Sequence, residues 1–97
     1  MGRAFIWTRL VPPEGAAGTT VQRAGWFSRY VAEAIAEDAL RAGRGARLEV
    51  TVAPDASDAE LTGVREGFAW LAGLGVLVRV GRDEQPDAER FYPSRAA

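Results

Sequence analysis

The sequence predicts an α/β domain of the α+β two-layer kind. Its elements run β-α-β-α-β, a C-terminal β-hairpin can follow, and both helices lie on one face of a small sheet. Three observations lead there. Residues 55–83, DASDAELTGVREGFAWLAGLGVLVRVGRD, read as a capped helix, a glycine stop and a strand. Residues 46–53, ARLEVTVA, alternate between apolar and polar positions. In both strands only one face is apolar, whereas strands sandwiched between two helix layers read as continuous apolar runs. One side of the sheet is therefore expected to be covered and the other open.

The first strand is residues 3–11, RAFIWTRLV, rich in aromatic and branched side chains. Ile6 and Leu10 are placed inward, because the alternate set, Phe5, Trp7, Arg9 and Val11, carries a charge. Residues 12–18, with paired prolines and two glycines, form a loop. Thr19 and Gln22 have capping-box spacing, which predicts a long helix to about Ala42 with the stripe Val21, Ala24, Phe27, Val31, Ala34 and Ile35. Gly43 and Gly45 end it. The second strand follows, with Leu48, Val50 and Val52 inward and Arg47, Glu49 and Thr51 outward. Ser57 and Glu60 repeat the capping-box spacing ahead of Leu61, Val64, Phe68 and Leu71, one apolar helix face, and Gly73 and Gly75 stop that helix. Val76, Val78 and Val80 then alternate with Leu77 and Arg79 in a third strand. After the polar turn RDEQPD, residues 88–92 can pair back as a hairpin strand ended by Pro93, leaving 93–97 as a loose tail.

At 97 residues the chain reads as one domain, 1–97, with enough apolar content for a single core. A net charge of −1, from 12 basic and 13 acidic residues, is no electrostatic footprint for nucleic acid or an anionic membrane. The chain has no Cys, His, Lys or Asn, and every basic residue is Arg. That bias, with abundant Ala and Gly, points to a GC-rich bacterial genome. The missing residue types exclude disulfides, an ordinary zinc site, Schiff-base chemistry and the lysine of a P-loop. No apolar run approaches the ~18 residues of a membrane span, and the start MGRAFIWTRL is too short in apolar core for a signal peptide. A cytoplasmic protein is the expectation.

Several features could carry chemistry. The turn Gly15-Ala-Ala-Gly18-Thr19 precedes an expected helix N-terminus, a place that can hold phosphate, but it has neither the P-loop lysine nor the G-x-G-x-x-G spacing. Asp55 with Asp58, and Asp83 and Glu84 with Asp87 and Glu89, are acidic groups without EF-hand spacing; helix-dipole and surface-turn roles explain them, so no metal site is assigned. The run 74–95, LGVLVRVGRDEQPDAERFYPSR, resembles the end of a winged-helix DNA-binding domain. That resemblance implies a break near Gly63, dividing 57–73 into two helices with Arg65 the basic residue on them.

Two surfaces remain. Trp26 and Tyr30 lie four apart on the expected first helix, away from its core stripe. Trp70 stands on the second with Gly63 and Gly67 on its side. Glycine inside a helix costs about 1 kcal/mol against Ala, so two of them suggest a close approach. Trp26, Tyr30, Trp70, Gly63 and Gly67 are thus the candidate partner interface, set against packing of the two helices on each other. On the open sheet face, Arg9, Arg47 and Arg79, with Trp7 beside them and Arg82 at the end of the strand, could neutralise phosphates and stack bases. The expectation is a non-enzymatic domain acting through protein–protein contact, as a homo-oligomer or as a subunit or adaptor of a larger complex, with no cofactor. The alternative is nucleic-acid binding through the sheet face and hairpin.

Overall fold

The computed structural model describes residues 4–83. The elements are β1 (Phe5–Val11), β2 (Val21–Trp26), α1 (Arg29–Ala42), β3 (Arg47–Val52), α2 (Asp58–Ala69), a 3-10 turn (Trp70–Leu74) and β4 (Leu77–Arg82). They form one mixed sheet in the order β2-β1-β3-β4. β1 runs antiparallel to both β2 and β3, and β3 runs parallel to β4.

The alternation of each strand decides which side is covered. Ile6 and Leu10 of β1 and Leu48, Val50 and Val52 of β3 are buried with Ile35, Ala36 and Ala39 of α1 and Leu61, Val64 and Phe68 of α2 in a single core. Val78 and Val80 of β4 pack against it from the edge. Both helices therefore lie on one face of the sheet, and among the described residues no helix lies on the other. The inward set for β1 is the expected one, because burying Arg9 would strip a charge of water.

The element order differs from the expectation at one place. Residues 19–28 do not begin a long helix; Val21–Trp26 is a strand, hairpinned onto β1 with Leu10 opposite Val21 and Phe5 opposite Trp26. Three local features favour the strand. Thr19, Thr20 and Val21 are β-branched in succession, Gly25 would weaken a helix interior, and Ser28 supplies a better N-cap than Thr19. The Ser28 hydroxyl accepts from the Val31 N–H at 3.2 Å, and α1 starts there. The 12–18 loop thus belongs to a β-hairpin, and the glycine turn does not sit before a helix N-terminus, which removes the phosphate reading.

The second helix starts as expected. The Ser57 hydroxyl accepts from the Glu60 N–H at 3.1 Å, and the Glu60 carboxylate accepts from the Ser57 N–H at 2.9 Å, closing a capping box. Ser57→Ala should lower stability by about 1 kcal/mol in chemical denaturation with an unchanged slope. The helix tightens into the 3-10 turn and stops at Gly75, whose φ of +90° is a left-handed conformation suited to glycine. The Gly75 carbonyl accepts from the Gly45 N–H at 2.7 Å, which ties this stop to the α1–β3 connection. A single helix and a 3-10 turn thus separate β3 from β4, and Gly63 lies inside α2 rather than at a break, so the winged-helix arrangement is absent. The expected hairpin strand at 88–92 and the tail at 93–97 lie outside the described residues.

Candidate functional site: the helix-free face of the sheet

The same alternation that buries Ile6, Thr8 and Leu10 turns Phe5, Trp7, Arg9 and Val11 to the opposite face. Cross-strand register then assembles rows. Trp7 lies between Ala24 and Thr51, with Gly81 beyond; Arg9 lies between Gln22 and Glu49, with Arg79 beyond; Val11 is beside Arg47, with Leu77 beyond. Trp26 stands opposite Phe5. The Phe5 ring meets the rings of Trp7 and Trp26 edge-on, each at a centroid distance of 5.1 Å. This is a favoured aromatic geometry, and it fixes the three rings as one cluster. Trp26 is 56% exposed and Leu77, at the other edge of the sheet, 62% exposed.

Charge on this face has both signs. Arg9 approaches Glu49 at 3.5 Å, and Glu49 is also the register neighbour of Arg79. The middle row is therefore Arg–Glu–Arg, with Arg47 in the next row. Of the expected nucleic-acid set, Trp7, Arg9, Arg47 and Arg79 do share the face. Arg82 does not. It is the register partner of buried Val52, on the helix side, and its guanidinium donates to Asp58 at 2.8 Å. That hydrogen bond, and the positive charge behind it, hold the Asp58 carboxyl below its ordinary pKa. The folded pKa is lower than the unfolded one, so the pair contributes stability above about pH 4 and loses it as pH falls through the folded value. Arg82→Gln should accordingly be less stable than the native chain at neutral pH. The gap should be small, because Asp58 is exposed, and should close in acid. A pH series of urea midpoints reads this directly.

The expected interface set is dispersed. Trp26 is on β2, in the aromatic cluster, while Tyr30 is in the first turn of α1 and 82% exposed. Trp70 caps the end of α2, with its indole N–H donating to the Gly67 carbonyl at 3.2 Å and its ring half exposed. Neither Trp26 nor Tyr30 forms a ring contact with Trp70 among the described residues, so the aromatics do not pack one helix against the other. The two helix glycines separate. A Cβ on Gly67 would stand 2.8 Å from the Phe27 ring, so the close approach there is made within the chain, by the residue that also packs edge-on to Phe68. A Cβ on Gly63 would meet nothing within 4 Å. Gly63→Ala should therefore raise stability by about 0.5–1 kcal/mol. Gly67→Ala should show no such gain, because the Phe27 ring must move. Thermal midpoints of the two variants check the opposed outcomes.

Phe5 and Leu77, on the outward side of their strands, join the face as contact residues beyond the candidate set of Trp7, Arg9, Arg47, Arg79 and Arg82. The signal for Phe5 is its place two before Trp7 in the alternation. Of the acidic groups, Asp58 is engaged by Arg82, Asp83 is buried, and Glu84, Asp87 and Glu89 lie outside the described residues. Among the described residues no three acidic side chains gather as a metal site would need, and no helix is long and apolar enough to cross a membrane. No family model, curated protein or solved structure matches the chain.

Proposed function

We propose that this protein acts by protein–protein contact through the helix-free face of its sheet, with a second copy of the chain as the partner the residues suit best. The observation that carries the reading is the Phe5–Trp7–Trp26 cluster, with Trp26 more than half exposed on a face that no described helix covers. Tryptophan, tyrosine and arginine are the residues that dominate interface energetics, and Trp26 differs from the singly exposed Tyr30 and Trp70 in belonging to a contiguous cluster of rings. The Arg9–Glu49–Arg79 row suits a self-complementary contact. In a two-fold arrangement the same patch meets itself, and Glu49 of each copy can face Arg79 of the other; Arg47 leaves the face net positive, so the aromatic cluster supplies the attraction. Size-exclusion chromatography with light scattering tests this: the native chain should elute as a defined oligomer, Trp26→Ala should shift it toward the monomer, and Trp70→Ala should leave it unchanged. An oligomer indifferent to Trp26→Ala would remove the assignment of the face.

Trp7, Arg47 and Arg79 on one face also favour a second reading, single-stranded nucleic acid held by stacking and phosphate contacts. Against it, Arg9 is neutralised by Glu49, and Arg82 faces the other way. Its signature would be binding that weakens steeply with salt and falls in Arg47→Gln and Arg79→Gln. A larger complex that uses this domain as subunit or adaptor would engage the same aromatic cluster with a different protein.

A further inference from the structure

On the opposite side of the sheet, β2 and α1 do not close on each other. The helix-facing residues of β2 are Val21, Arg23 and Gly25, so the strand offers one long polar chain and a bare backbone where a core would need bulk. The result is a cleft of about 130 Å³ between β2 and α1, walled by Ile6, Gly25, Val31, Ala34 and Ile35. Thr8 also lines it, and Thr8 is 2% exposed. Its hydroxyl is the one neutral polar group of the lining and makes none of the side-chain hydrogen bonds found among the described residues. Arg23 stands at the cleft too, but it is held on Asp38 by hydrogen bonds from Nε at 3.0 Å and from the terminal nitrogen at 2.7 Å. Asp38 also accepts from Arg41 at 3.3 Å, so Arg23 is drawn aside onto a shared carboxylate, and the cleft presents apolar walls with a single buried neutral polar group.

We infer that this cleft is a binding site for a small uncharged molecule, an aromatic ring or compact branched chain carrying one hydroxyl-type group that pairs with Thr8. The volume sets the size: an apolar protein cavity of about 150 Å³ takes benzene. A charged ligand does not suit it, because the one charged side chain of the walls, Arg23, has its guanidinium turned onto Asp38 and the rest of the lining is neutral. The site is separate from the aromatic face, and neither depends on the other.

Phenol and benzene are the probes, titrated into the full chain and followed by methyl and amide NMR. Phenol should shift the Ile6, Thr8, Val31 and Ile35 methyls saturably, and benzene should bind about tenfold more weakly for want of one hydrogen bond. Thr8→Val should bring phenol down to the affinity of benzene. Gly25→Val should abolish both, since a Cβ at Gly25 meets nothing within 4 Å and the side chain would grow into the cleft. Because that substitution suits a strand, the variant should remain folded. Shifts confined to Phe5, Trp7 and Trp26, binding that survives Gly25→Val, or equal affinity for phenol and benzene would overturn the assignment.

Discussion

Phe68→Ala should lower the unfolding free energy by about 3–5 kcal/mol, the largest effect of any single substitution considered. Phe68 is fully buried, packs edge-on to Phe27 at 5.9 Å, and sits on α2 in the stripe that runs from Val64 to Leu71 of the 3-10 turn, both also fully buried. Truncation removes the ring from the core and leaves a hole beside the Phe27 ring. The Phe27 N–H donates to the Ala4 carbonyl at 2.7 Å, which holds its backbone in place, and its ring is already packed on Gly67. The hole therefore persists, and the cost stays at the high end of its class. A domain of this length has roughly 5–15 kcal/mol of stability in all, so the variant should unfold at much lower urea and show a visible unfolded fraction near body temperature. A loss below about 1 kcal/mol would mean that α2 does not pack tightly against the sheet at Phe68.

Trp26→Asp is the second. Trp26 is on an edge strand, more than half exposed, and its described ring contact is with Phe5. Folding should therefore suffer by no more than about 1 kcal/mol, as for most surface substitutions that lose one partial contact. If the aromatic cluster is the contact surface, association should fall by at least about a hundredfold, since the change deletes a central aromatic and sets a charge in its place. The separation of the two effects is the informative part: a residue of the core loses stability first, whereas a contact residue loses assembly and keeps the fold.

The β3–α2–β4 unit was legible because every local signal agreed. Alternation in 47–52, the Ser57–Glu60 box, a stripe at steps of three and four, and glycine at the stop all describe one arrangement. The β2 strand was not. In 19–35 a short strand and a helix lie end to end, and Val21, Ala24 and Phe27 satisfy a helical period by coincidence before the true stripe of α1 begins. Short apolar runs do not distinguish the two periods, and the pairing with β1 that decides the matter is non-local. This one error displaced the candidate site: with Trp26 on a strand, its neighbour is Phe5 across the hairpin and not Tyr30 along a helix. Arg82 was legible and misassigned, because the alternation that turns Val78 and Val80 inward carries Arg82 inward with them. The two helix glycines suggest a close approach at both positions; packing places one at Gly67, made by Phe27 of the same chain, and none at Gly63.

The most direct test of the contact surface is amide hydrogen exchange measured at two protein concentrations, one well above and one well below the association midpoint. Self-association through the helix-free face predicts added protection at high concentration in residues 5–9 and 22–26, and none on the outer side of α2 around Gly63 and Trp70. Protection that is independent of concentration throughout, or that appears around α2 alone, would contradict it.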